Sequence, residues 1–214
     1  MAKIELMDFI GMKRSIESGM NRSAGFYSLF ARLLGMGFIE RSIHQCLVGR
    51  KAQKLEVLGP GDGLGLSDAI QNFEEVRLID LSQKMLEKAR EKLEHSDIEY
   101  VLGDEGDLSL GGLVFVPFVL NMYSEEGQSA LLKRISGLMD QGQKLLILDF
   151  NPEQKSSPFQ AYLWILYKGF RLITGIPVGK LNNYHLQAMR YFEVLEERNF
   201  AKACLSARLY RKVN

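Results

Sequence analysis

Within the stretch Lys54 to Gly65, KLEVLGPGDGLG, glycines stand at 59, 61, 63 and 65, with Pro60 and Asp62 between the first three. Glycine has no Cβ, so such a turn lets backbone N–H groups come close to a nucleotide-like ligand, a phosphate or a carboxylate. Asp80 lies 17 positions after Gly63. In nucleotide-binding βαβ units an acidic side chain about 20 positions on meets the ribose hydroxyls, because one carboxylate accepts from two vicinal hydroxyls at once. Capping of the next helix is the other role open to Asp80, although Ser82 already stands in the capping position. Asp104, Glu105 and Asn121 each follow a short apolar run. The glycine turn alone would also suit a tight connection in any α/β protein, so the elements around it carry the argument.

Leu55, Val57 and Leu58 predict a buried strand before the turn, and Ser67 to Phe73 reads as the start of a helix after it. The N-terminus of such a helix would add unpaired N–H groups to the site. Val76 to Asp80, Ile98 to Leu102, Leu113 to Leu120 and Lys144 to Phe150 predict four more strands. Between them, Ser82 to Leu93 is amphipathic, with Met85, Leu86, Ala89 and Leu93 on one face. A second helix opens at Ser124 with Glu125 and Glu126 where the dipole favours acid, and Gly142 stops it. Five strands alternating with helices predict a parallel sheet covered on both faces. Ligands of such sheets bind beyond the carboxyl ends of the strands, where Gly59 to Gly63, Asp80, Asp104 and Asn121 all fall. Ahead of the first strand, Asn21 to Leu34 and Phe38 to Leu47 have helical apolar spacing and predict a cap.

Bulk properties narrow the classes. The 214 residues suit one domain with elaborated ends, and 46% hydrophobic with 25% charged residues excludes disordered and fibrous classes. A net charge of +1 gives no dominant cationic surface, so no nucleic-acid partner is expected. Cys46 and Cys204 lack any partner spacing, which argues against structural zinc or a disulfide framework and for a reducing cytoplasm. No metal is expected. The N-terminal MAKIELMDFIGMKRS has no continuous apolar core and is not read as a signal peptide. The most apolar tract, 159 to 178, contains Lys168, Arg171 and three helix breakers; peripheral membrane contact is expected of it, not a span.

The ordered segments LGPGDG, LIDLSQKMLEKAREKL, YVLGDE, FVLNMYSEE, LLKRISGLMDQGQKLLILDF and LEERNF resemble the class I S-adenosylmethionine-dependent methyltransferases over roughly residues 27 to 200. The resemblance implies a three-layer, Rossmann-like α/β fold with a mostly parallel sheet of six to seven strands and helices on both faces. It further implies an N-terminal helical cap (1–50) and a methyltransferase domain (51–214) with a helical lid after strand five (152–185). S-adenosyl-L-methionine would be the cofactor. Gly59, Pro60, Gly61 and Gly63 would hug its methionine half; Asp80 would take the ribose hydroxyls and Leu81 lie against adenine. Asp104 and Glu105 would meet the adenine amino edge, and Phe118 to Asn121 would close the site beneath the methyl donor. One position departs from the family: Val57 stands where an acid usually holds the cofactor amino group, so either a bulge re-aims Glu56 or backbone carbonyls and water hold that group. Helix character is implied for the segment ending in LEERNF, followed by a sixth strand with the seventh very short or merged. A dinucleotide-dependent oxidoreductase is the structural competitor, but the third glycine of its fingerprint falls on Leu64, Leu66 or Asp68 in the three frames.

The expected reaction is methyl transfer by in-line displacement to a small, apolar or aromatic acceptor such as a quinol, phenol or lipid head group. Aromatic-rich segments around Phe26, Tyr27 and Phe30 and from Phe159 to Phe170 could roof a cavity for it, or simply complete the core. The segment IPVGKL resembles the quinone-methylating branch. If a general base is used, His185, Tyr184 and Tyr27 are the candidates. The alternative is a catalytically silent methyltransferase-like module serving a partner protein, favoured by Val57.

Overall fold

The structure is a computed structural model that describes residues 2–33, 37–93, 97–109, 111–176 and 181–213, with side chains over the same ranges except 2–6 and 26–33. Among the described residues, seven strands form one sheet in the order β3-β2-β1-β4-β5-β7-β6. They are β1 (Lys54–Leu58), β2 (Glu75–Asp80), β3 (Ile98–Leu102), β4 (Leu113–Pro117), β5 (Lys144–Phe150), β6 (Phe192–Phe200) and β7 (Leu205–Lys212). The first five run parallel, and β7 is antiparallel to both β5 and β6. The helices are α1 (Ala2–Leu33), α2 (Gly37–Leu47), α3 (Gln83–Lys92), α4 (Glu125–Leu138), α5 (Ser157–Thr174) and α6 (Tyr184–Ala188). This is the expected Rossmann-like architecture with its helical cap. The order of the central strands reverses at β1 and β4, which opens a crevice at their carboxyl ends.

Local chemistry explains most boundaries. Every residue of β4, and all but the first of β1 and β5, is buried, as strands covered on both faces must be. Ser82 caps α3 by accepting from the Met85 N–H at 3.2 Å, and Ser124 caps α4 by accepting from the Gly127 N–H at 3.2 Å.

Three expectations need correction. No α-helix follows the glycine turn; Ile70–Asn72 forms a single 3-10 turn there. Gly59, Gly61, Gly63 and Gly65 all have positive φ, which keeps the chain out of a right-handed helix as far as Gly65. The space is taken by α2, whose Glu40 carbonyl oxygen would lie 2.5 Å from any Cβ added at Gly65. The segment LEERNF lies in β6, not in a helix, and β7 is a full eight residues long. The hairpin between them turns without glycine, through Ala201, Lys202 and Ala203 at φ of 50°, 56° and 65°. Finally, the N-terminal helix is one continuous 32-residue element, where the sequence reading began it at Asn21.

Candidate active site

The glycine turn is held in place from the strand beside it. Gly59 N–H donates to the Ile79 carbonyl at 2.8 Å, and Gly61 N–H donates to Asp80 Oδ2 at 3.1 Å. A Cβ at Gly59 would meet Val119 Cγ2 at 2.4 Å, so the turn touches the loop after β4, whereas one at Gly61 would meet nothing within 4 Å. The turn therefore presents bare backbone at Gly61 to open space, as close ligand approach requires. Gly63 faces the other way, against Leu93 and Ala89 at the end of α3.

Asp80 sits at the carboxyl end of β2 and is only 7% exposed. Its Oδ1 accepts from Ser82 N–H at 2.8 Å, so the two oxygens fasten the turn and the start of α3 together. Burial pushes its carboxyl up from 3.8 to about 6, against the pull of these two hydrogen bonds. Asp104 and Glu105 occupy the end of β3. Asp104 caps a 3-10 turn by accepting from Gly106 N–H at 2.7 Å. Lys13 of α1 reaches both acids, donating to Asp104 at 2.7 Å and Glu105 at 2.5 Å, and Arg134 of α4 also pairs with Glu105. Burial raises the Asp104 carboxyl, but Lys13, the Gly106 N–H and the Arg134 charge together outweigh it and hold the group below the usual carboxylate range.

The end of β4 carries Phe118 in a left-handed conformation (φ 54°), with Asn121 close behind. Asn121 donates from its backbone and its amide to Asp149 at 3.0 and 2.8 Å, and from its amide to the Phe118 carbonyl at 2.9 Å. Asp149, fully buried at the end of β5, is pushed up to about 7 by burial. It fixes the shape of the β4 loop.

These strand ends line one cleft of about 1290 Å³, its open mouth included. Of the cofactor residues read from the sequence, Gly59, Pro60, Gly61, Asp80, Leu81, Asp104, Glu105, Phe118 and Asn121 line it, and Gly63 does not. Ile16 and Met20 of α1, Ile39 and Ile43 of α2, and Leu166, Tyr167 and Phe170 of α5 form the opposite wall. The Tyr167 hydroxyl is buried there without a hydrogen-bond partner. Burial, with the nearby Asp149 charge, raises its pKa and keeps it a donor.

His185 and Tyr184 lie elsewhere, against β7. His185 Nδ1 is 3.0 Å from the Tyr210 hydroxyl, and the buried Tyr184 hydroxyl is 3.0 Å from Ser206 Oγ; neither residue lines the cleft. The Tyr27 side chain lies outside the described residues. Glu56 does not swing into the site, because β1 keeps regular register with β2 and β4 and no bulge re-aims it. It is buried on the other face, where Arg77 donates to it at 2.5 Å and Ser109 N–H and Oγ donate at 3.0 and 2.8 Å. It is a structural carboxylate.

Tyr167 belongs to the aromatic segment expected to roof the cavity, whereas Lys13, Asn21 and Asp149 carry no role in the sequence reading. Asn21 Oδ1 accepts from Ser82 Oγ at 2.8 Å and from Lys84 N–H at 3.2 Å, so Lys13 and Asn21 tie α1 across the ends of β3 and α3. Asp149 did leave a signal: like Asp80 in VRLID, it is the acid near the end of an apolar strand, KLLILDF.

The donor set fits an adenosine-bearing cofactor. Asp80 can accept further bonds at a strand end, and bare backbone faces it at Gly61, with Asp104, Glu105 and Asn121 lining the same cleft. Comparison with known proteins agrees. Residues 56–147 match the family model described as a methyltransferase domain. No curated protein matches the sequence. Among solved structures, a chain from the complex between the Haloferax volcanii Trm112 methyltransferase activator and the methyltransferase is similar, with 11% identity and a TM-score of 0.66, covering 91% of this chain and 99% of that one. The N-methyltransferase NodS from Bradyrhizobium japonicum, in complex with S-adenosyl-L-homocysteine, shares 11% identity and a TM-score of 0.60, with 82% of this chain and 86% of that one covered. Human N-acetylserotonin methyltransferase in complex with SAM shares 17% identity and a TM-score of 0.62, and the match spans 91% of this chain and 58% of the human one. Identities this low speak for the fold.

Proposed function

We propose that the chain, whose residues 56–147 match a methyltransferase domain, is an S-adenosylmethionine-dependent methyltransferase that methylates a small, apolar or aromatic acceptor such as a quinol, phenol or lipid head group. The observation that carries the acceptor class is the wall facing the glycine turn. Ile16, Met20, Ile39, Ile43, Leu166 and Phe170 make it apolar, and Tyr167 adds one donor hydroxyl. Such a surface favours a flat or aliphatic body with one polar atom over a peptide or nucleic-acid strand.

S-adenosylmethionine, when bound, supplies an electrophilic methyl group on a sulfonium. In the proposed arrangement Asp80 accepts from the ribose hydroxyls, the backbone of Gly59 to Gly61 lies against the methionine half, and Leu81 covers adenine. Asp104, held in place by Lys13, borders the adenine side. Phe118 and Asn121, braced by Asp149, shape the floor beside the acceptor. Helix α5 acts as the lid, excluding water from the inner wall through Leu166, Tyr167 and Phe170. Among the described residues no histidine lines the cleft, so alignment and water exclusion carry the rate. Tyr167 orients the acceptor as a hydrogen-bond donor.

Incubating the protein with methyl-labelled S-adenosylmethionine and a panel of quinols, phenols, phospholipids, amines, peptides and RNA tests this reading. Labelled quinol or phenol is expected, and label only in peptide or RNA would end it. Val57 and the activator complex of the Haloferax relative support a second reading, a module that serves a protein partner. That reading predicts no labelled small molecule at all.

A further inference from the structure

The outer face of α5 carries a pattern that neither the sheet nor the cleft uses. Phe159, Leu163, Leu166 and Tyr167 are buried on the inner side. At helical spacing, Trp164, Ile165, Lys168, Arg171 and Leu172 share the opposite side. Trp164 is 60% exposed, Ile165 53% and Leu172 87%, and both cations are exposed. Single exposed apolar side chains are ordinary, but a contiguous group of large ones marks an interaction surface. The Lys168 ammonium lies 3.8 Å from the centroid of the Trp164 ring, so charge and apolar surface are interleaved. Arg22 of α1 comes beside Gly175 at the carboxyl end of the helix and adds a third cation there. The helix itself contains no Asp or Glu.

We propose that this face docks the protein peripherally on an anionic lipid bilayer, with α5 lying in the plane of the interface. Trp and Leu on one strip with Lys and Arg along it is the composition of helices that sit at the boundary between head groups and acyl chains. No described helix is long and apolar enough to cross a membrane, so contact is in-plane. A second copy of the chain fits less well, because a two-fold axis through the patch would set Lys168 and Arg171 against their own equivalents. The opposite side of the same helix contributes Leu166, Tyr167 and Phe170 to the cleft, so docking would place the apolar wall of the acceptor site next to the bilayer. The docking inference stands on the surface alone and does not require the acceptor to be a lipid.

Trp164 is the sole tryptophan in the sequence, so its fluorescence reports on this patch directly. The full chain is mixed with phosphatidylcholine vesicles with and without phosphatidylglycerol, and emission and co-sedimentation are followed. The expected result is a shift of Trp164 emission to shorter wavelength, quenching by brominated acyl chains, and co-sedimentation that strengthens with phosphatidylglycerol and weakens with salt. Lys168→Gln with Arg171→Gln should weaken binding to the anionic vesicles about five-fold per cation, roughly 30-fold together. Ile165→Glu with Leu172→Glu should abolish the emission shift while S-adenosylmethionine binding, which reports an intact fold, is unchanged. Unchanged emission and no sedimentation with anionic vesicles would overturn the proposal. So would a dimer in vesicle-free solution that the double Glu variant dissolves, since the face would then belong to a second copy.

Discussion

Replacing Asp80 by Asn should make the ligand-free protein relatively more stable near neutral pH and remove that advantage in acid. The native carboxyl is pushed from 3.8 to about 6 by burial. That shift of about two units corresponds to ~3 kcal/mol by which the ionised group destabilises the fold at neutral pH. The sign follows from the proton balance. Below the unfolded value of 3.8 the group is protonated in both states and the penalty is absent, and it grows as pH rises through about 6. Asn carries no charge, but it accepts with one oxygen where Asp80 accepts from both Gly61 and Ser82 N–H groups, so one bond worth about 1–2 kcal/mol is lost. The variant should therefore gain about 1–2 kcal/mol over wild type at about pH 7.5, and about 2 kcal/mol of the difference should disappear at about pH 4.5. Urea unfolding of both proteins at the two pH values reads this directly. Comparing variant with wild type cancels the separate titration of Asp149. A wild-type-to-variant difference that is the same at both pH values would refute the claim that a desolvated carboxylate waits in the cleft.

Further outcomes follow from other contacts. Lys13→Ala should destabilise the fold by about 2 kcal/mol in denaturant unfolding, less than a fully buried pair because Arg134 still serves Glu105 and Asp104 is about one-third exposed. The same change should weaken cofactor binding, measured by calorimetry. Tyr167→Phe should raise KM for a phenolic or quinol acceptor about ten-fold with cofactor affinity unchanged, and should not destabilise the ligand-free protein, because the hydroxyl has no partner to lose. Burial pushes the Cys46 thiol up to about 12, so it should resist maleimide until the protein unfolds.

Much of this site was legible because its residues sit at strand ends that periodicity reveals. Asp80 closes the run VRLID, and its contact with the glycine turn spans only 19 positions. What stayed hidden was mostly long-range. Lys13 meets its acids across 91 and 92 positions, and nothing in its own helix distinguishes it from the neighbouring Arg14. Glu56 was uncertain because its face depends on register, and the regular pairing of β1 resolves it. The LEERNF segment misled because β6 lies at the sheet edge. There most side chains meet solvent and charge replaces alternation, as edges that must not pair with other chains often require. The missing helix after Gly65 reflects a long-range contact, since α2 packs with its Glu40 carbonyl directly against Gly65.

The central claim is that a methyl donor bearing adenosine binds between the glycine turn and Asp80. Calorimetric titration of the purified chain with S-adenosylmethionine tests it most directly, with the Asp80→Ala variant alongside. Micromolar binding that the substitution abolishes is the predicted result. No heat of binding at millimolar ligand, or equal affinity in both proteins, would contradict it.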